Sequence, residues 1–253
     1  MKITFLGTGT SQGVPMIACQ CDVCKSKDTK DKRLRTSVLV QYKNTNIVVD
    51  SGPDFRQQMI REDVRTLDAI LFTHEHKDHI AGTDDIRAYN HFTQKPLDLY
   101  ADDRVQKAMK REFAYAFAKE KYPGIPEMNM IDLPATPFVV KDIEVIPIKI
   151  MHLKLPIHAY RFDKIAYITD ANYISPEEKD KLNGVELLVV NALRKQKHIS
   201  HFCLSEALEL IDEIKPQQAF LTHMSHQMGL HEKVQADLPP YVFLAYDGLQ
   251  VSV

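Results

Sequence analysis

The apolar run AILF at residues 69–72 passes straight into THEHKDHI at 73–80, so three imidazoles and two carboxylates crowd into positions 74–79. Side chains of this kind are costly to gather beside a buried strand unless something binds them, and a metal ion satisfies this mixture of donors. In an extended segment alternate residues share a side, so His74 and His76 can point the same way, while Asp78 and His79 follow as the chain turns. A helical H-E-x-x-H zinc motif is excluded because position 78 is Asp. The same punctuation recurs downstream: VIPIKIMH ends in His152, IAYITD in Asp170 and QAFLTH in His223. Each places a ligand-type side chain just past a buried strand, which is where layered α/β folds build their sites. Seven such ligands are too many for one tetrahedral ion and suit two ions that share a carboxylate.

The rest of the chain fits that frame. Its 253 residues are 44% apolar, enough to bury one large α/β domain spanning 1–253. Short β-branched runs such as TSVLVQY, NIVVD and VELLVV alternate with helical patterns: DDRVQKAMKREFAYAFAKEKY at 102–122, SPEEKDKL with Ser175 as N-cap, and LSEALELIDEI. The mixture predicts two mixed sheets face to face with helices outside, although a three-layer sandwich has the same pattern. No repeat of fixed period is visible, and KYPGIPEMNMIDLPATP at 121–137 reads as a Pro-rich surface loop. A net charge near −2, with scattered Lys and Arg, gives no global argument for a nucleic-acid or membrane-surface protein. Neither MKITFLGTGTSQGVP nor any later run has the length of a signal or membrane-spanning segment, so a cytoplasmic location is expected. In a reducing compartment Cys19, Cys21 and Cys24, within six residues, read as metal ligands rather than disulfides; Cys203 reads as a small buried residue.

The H-x-H-x-D-H motif with later His, Asp and His resembles the metallo-β-lactamase-fold hydrolases over nearly the whole chain. That resemblance implies a four-layer αββα sandwich. It also implies one divalent metal on His74, His76, His152 and Asp170 and another on Asp78, His79, Asp170 and His223, with Asp170 as the bridge. Asp50, in VVDSGPD, resembles the family's aspartate at an early strand end that orients ligands. Flavodiiron oxygen reductases have Glu at the third motif position; His76 favours a hydrolytic Zn or Mn centre, and the donors do not choose between those two.

The C-x-C-x2-C thiolates leave a fourth position for a structural zinc. The pattern is similar to the PhnP-like phosphodiesterases, in which a histidine three residues beyond the last catalytic ligand completes that site; His223 and His226 have this offset. By the same resemblance His201 is the candidate proton donor to the leaving oxygen, with His198 as substitute, and a homodimer is implied. His91, His158 and His231 are left as structural or surface residues. The implied chemistry is attack by a metal-bridged hydroxide on a small, possibly cyclic, phosphodiester, with catalytic roles for His201, Asp78 and Asp170. Competing readings are a glyoxalase II-like thioesterase, a tRNA 3′-processing endonuclease, and a zinc-stabilised carrier resembling the pyrroloquinoline quinone biosynthesis member. KSKDTKDKRLR at 25–35 holds six basic residues, but Asp28 and Asp31 dilute it. No RNA-gripping arm is therefore expected, and Arg33 or Arg35 reaching a substrate phosphate is the simpler reading.

Overall fold

The computed structural model describes residues 1–120 and 122–253. In chain order its strands are β1 (Lys2–Gly7), β2 (Ser37–Tyr42), β3 (Thr45–Val49), β4 (Ala69–Leu71), β5 (Leu97–Ala101), β6 (Met128–Asp132), β7 (Phe138–Val140), β8 (Ile143–His152), β9 (Leu155–Phe162), β10 (Ile165–Ile168), β11 (Leu187–Asn191), β12 (Gln218–Thr222), β13 (Val242–Leu244) and β14 (Gln250–Ser252). They form two seven-stranded sheets, ordered β14-β1-β2-β3-β4-β5-β6 and β13-β12-β11-β10-β9-β8-β7. In each sheet the antiparallel hairpins come first and the parallel crossovers follow: β3, β4, β5 and β6 are parallel neighbours, as are β10, β11, β12 and β13. The two halves thus repeat in strand order although the sequence has no fixed period.

Side-chain alternation builds the layers. In β4 and just beyond it, Ala69 and Leu71 face the second sheet in a core with Ile3, Phe5, Tyr160 and Tyr167, while Ile70 and Phe72 face outward into a second core. That outer core packs under helices Phe55–Arg61, Arg87–Thr93 and Asp103–Glu112. A third core lies between the other sheet and helices Leu204–Ile214 and His231–Ala236. The order helix, sheet, sheet, helix is the four-layer αββα sandwich, and the three-layer alternative is discarded. Full burial of Tyr160 and Tyr167 is tolerated because both hydroxyls are hydrogen-bonded, to the Phe72 carbonyl and to Thr36 Oγ1.

Two sequence expectations are corrected. The helix expected over 102–122 ends at Glu112, because Phe113 and Ala116 turn into the outer core and Lys77 and Asp84 bind Glu112 and Tyr115. The Pro-rich stretch is not loop throughout. Met128–Asp132 adds a parallel strand to β5, with Met128 and Met130 resting on the outer core; Lys121 lies outside the described residues. Among the described residues no helix is long and apolar enough to cross a membrane.

Candidate metal centre

The loops that leave β4, β8, β10 and β12 converge at one end of the sandwich. His74, His76 and His152 bring ligand atoms within 4.8 Å of one another; so do His74, His79 and Asp170, then Asp78, His79 and His223, and His152, Asp170 and His201. Asp170 belongs to groups on both sides. Its carboxylate lies 3.3 Å from His79 Nε2, 3.1 Å from His223 Nε2 and 3.0 Å from His201 Nε2. Asp50, Asp170 and His223 all have positive φ (64°, 59° and 54°), a conformation costly for non-glycine residues and concentrated at functional sites.

Buried hydrogen bonds fix which imidazole nitrogens are free. Asp50 accepts from Thr73 N and Thr73 Oγ1, both at 2.8 Å, and from His79 Nδ1 at 2.7 Å. Because the Thr73 hydroxyl hydrogen is committed to Asp50, its oxygen accepts from His74 Nδ1 at 3.0 Å. His152 Nδ1 donates to the Ser200 carbonyl at 2.8 Å. His74 and His152 therefore carry their proton on Nδ1 and turn a bare Nε2 toward the centre, and His79, whose Nδ1 donates to Asp50, would present its Nε2 in the same way with a metal ion in place of the second ring proton. Among the described residues His79 Nε2 and His223 Nε2 are shut from water without a hydrogen-bond partner, an arrangement that a cation relieves. The residues present fit divalent metal ions.

The electrostatics agree. Burial disfavours a charged His79, yet the carboxylates of Asp78, Asp170 and Asp50 outweigh it and lift its pKa well above the usual histidine value. Burial also opposes ionisation of Asp170, but His223 and His79 hold its carboxyl well below the ordinary range. His74, fully buried, is pushed well below the usual value. Burial presses His201 down to about 4 despite the pull of Asp170, so the ring is a neutral donor at Nε2. Its Nδ1 lies 2.9 Å from Ser200 Oγ and 3.2 Å from His198 Nδ1, so His198 sits behind His201.

A second cluster joins the N-terminal loop to the segment after His223. Cys19, Cys21 and Cys24 gather with His226, whose Nδ1 is 3.3 Å and 3.2 Å from the first two sulfurs. The hydrogen bond from His226 lowers Cys21 to about 6, while burial raises Cys24 to about 11. Val14, Val23, Met16 and Leu230 close over the cluster. The Met224 backbone is hydrogen-bonded to Thr8 and Thr10, so His223 is held between this cluster and the segment that follows β1.

Of the arginines read as phosphate contacts, Arg33 is excluded. It is buried, and its guanidinium bonds Thr8 Oγ1, the Ala245 carbonyl and His231 Nδ1. Arg35 stays at the surface beside Gly52, hydrogen-bonded to the Ser11 carbonyl and paired with Asp54. Sequence reasoning missed Thr73 and Ser200, which orient His74 and His152. It also missed Gly52 and Gly82, whose missing side chains let the backbones stack: a Cβ on Gly52 would lie 2.0 Å from the Asp78 carbonyl oxygen, and one on Gly82 equally close to that of Gly52. The SGPD and IAGT turns carry the only signal, glycines flanking the motif.

Residues 45–224 match the family model described as a beta-lactamase superfamily domain. A solved structure of a diphosphatase from the PhnP family is similar over 100% of this chain and 97% of its own, at 35% identity and a TM-score of 0.93. Zn(2+)-bound PqqB from Methylobacterium extorquens shares the fold over both full lengths, at 16% identity and a TM-score of 0.80. An octanoyltransferase of Porphyromonas gingivalis is 40% identical over the whole chain, which spans 52% of that protein.

Proposed function

The chain belongs to the beta-lactamase superfamily, and we propose that within it the protein is a metal-dependent phosphodiesterase that cleaves a small phosphate diester, cyclic diesters included. The observation that supports this reading is Asp170. One buried carboxylate sits within 3.3 Å of His79 and 3.1 Å of His223, and shares further ligand groups with His74 and with His152, as a bridge between two ions requires. His74, His76, His152 and Asp170 would hold one ion, and Asp78, His79, Asp170 and His223 the other; Cys19, Cys21, Cys24 and His226 would hold a structural zinc. When bound, the paired ions supply charge neutralisation for phosphoryl oxygens and acidify a water.

The chain's own residues do the rest. Asp50 and Thr73 keep His74 and His79 in the ligating tautomer, and the Ser200 carbonyl does the same for His152. His201, the neutral donor 3.0 Å from Asp170, hydrogen-bonds the leaving oxygen at Nε2 and limits its developing charge. Arg35, half-buried and paired with Asp54 beside the Gly52 turn, is the remaining candidate to meet a nonbridging oxygen. The PhnP-family neighbour is a diphosphatase, which adds the phosphoric anhydride bond as a second substrate class for the same centre.

The test is one preparation assayed against a phosphodiester, a diphosphate, a phosphomonoester and a thioester, with bound metals quantified in parallel. Diester turnover with about three ions per chain, lost by two or more orders of magnitude in Asp170→Ala and His201→Ala, supports the assignment. Thioester preference, or a single ion with no turnover, overturns it in favour of a thioesterase or a zinc-stabilised binding protein.

A further inference from the structure

The segment that carries His74 and His76 leaves sheet one and runs along β9 of the other sheet, anchored at three places. The Tyr160 hydroxyl donates to the Phe72 carbonyl, and His158 N donates to the Thr73 carbonyl at 3.0 Å. At the third, Arg104 Nη2 donates to the Pro156 carbonyl at 2.6 Å and lies 3.4 Å from Glu75 Oε2. Tyr160 and His158 thus meet the chain directly at 72 and 73, and Pro156, the next alternate residue of β9, is linked to Glu75 through Arg104. Glu75 is the residue between the two imidazoles. Alternation sends its carboxylate away from the centre, toward Arg104, while His74 Nε2 and His76 Nδ1 face each other at 2.9 Å.

Arg104 is itself fixed. It lies in the first turn of helix Asp103–Glu112, one turn whose N-cap, Asp102, accepts from Val105 N at 2.9 Å and reaches His158 Nε2 at 3.4 Å. One aspartate therefore ties the helix that bears Arg104 to the strand that bears Pro156. Three atoms in this corner are left over: Glu75 Oε2, Arg104 Nε and His158 Nδ1 are all shut from water, and none has a hydrogen-bond partner among the described residues. A guanidinium fork meets a carboxylate through two parallel bonds, and here a suitable pair of groups is held just short of that geometry.

We propose that Arg104 is a positioning residue that acts through Glu75, clamping the His74–His76 segment against β9 so that the first metal position is formed in advance. The inference rests on the metal assignment made above and not on the identity of the substrate. The second position, with Asp78, His79 and His223, lies beyond the turn of the chain and is not held by this clamp. Arg104 and Glu75 therefore affect the two ions unequally.

The test measures metal affinity rather than turnover. The whole protein, stripped of metal and titrated with Co(II), reports binding through its visible d–d bands and through the bound metal counted by mass spectrometry. Glu75→Gln retains the size of the side chain and leaves the Arg104–Pro156 bond intact. It should weaken one of the two catalytic-site binding steps by about tenfold to a hundredfold, the range seen when groups that orient metal ligands are lost. Arg104→Gln should weaken the same step, Arg104→Lys should restore little of it because an ammonium lacks the fork, and the double variant should bind no worse than the weaker single. Unaltered affinity and bands in Glu75→Gln, or additive losses in the double variant, overturn the proposal. Should Arg104→Gln fail to fold, the comparison of Glu75→Gln with Glu75→Ala decides alone: equal, selective weakening of one step supports the clamp, and loss in neither refutes it. Failure to cleave phosphodiesters leaves these readouts unaffected.

Discussion

Replacement of Gly52 by alanine tests how the ligand loop is seated. Backbone hydrogen bonds run from Ser51 N to the His79 carbonyl at 2.8 Å and from Gly82 N to the Ser51 carbonyl at 2.9 Å, so residues 51–52 lie sandwiched within the turn 78–82. A Cβ at Gly52 would stand 2.0 Å from the Asp78 carbonyl oxygen, where ordinary contact begins at 3.4 Å; the loop must retreat by about 1.4 Å. Overpacking of this size costs about 1–3 kcal/mol of stability. A displacement near 1 Å beside the reacting groups costs roughly a hundredfold in rate. The expected result for Gly52→Ala is therefore phosphodiester turnover down by about two orders of magnitude, with metal lost first from the position shared by Asp78, His79 and His223. Gly184→Ala is the control. That glycine has φ 77° but no atom within 4 Å of the added carbon, so it should lose about 1 kcal/mol and no activity. Wild-type turnover, metal content and melting temperature in Gly52→Ala would show that the two turns do not stack as described.

Three further outcomes are expected. Asp50→Asn replaces one of the two acceptor oxygens that fix the tautomers of His74 and His79 by an amide donor, and should weaken metal binding by about tenfold or more while thermal melting shows the fold intact; undiminished affinity by competition with a chelator refutes the role. His226→Ala should release the zinc proposed for the cysteine cluster, counted by mass spectrometry, and lower kcat through His223, three residues away; full zinc content in the variant refutes the cluster. Burial, then Arg33 and Lys30, lowers His231 to about 4, so its folded pKa lies below its unfolded one. Its contribution is fully present above about 6.5 and is lost as pH falls from there toward 4, by an amount on the order of 3 kcal/mol. Denaturant unfolding at pH 7 and 5 should show a smaller loss in His231→Gln; equal losses refute it.

What could be read directly from the sequence was local. A buried strand followed at once by His or Asp announces itself in one stretch of chain, and that signal located His74, His76, Asp78, His79, His152, Asp170 and His223, which the fold brings together. The cysteine spacing with His226 behaved alike. Helix Leu204–Ile214 coincided with its amphipathic pattern, whereas the residues after Glu112 have good helix formers yet leave the helix, because Phe113 and Ala116 gain more by entering the core. Arg33 and Arg35 are two residues apart and chemically identical, and only tertiary packing buries one of them. Ser200, Gly52 and Arg104 were illegible for the same reason: each acts on a partner distant in sequence through backbone contact or a single bond.

The donor atoms are divided between the halves of the sandwich. His74, His76, Asp78 and His79 follow β4, whereas His152, Asp170, His201 and His223 belong to the sheet made later, and His226 must return to cysteines laid down near the start. A nascent polypeptide that has emerged only through β6 thus owns half a coordination sphere and three unattended thiols. The candidate centre is assembled only when strands of both sheets are in place, and a truncation before His223 removes part of its donor set.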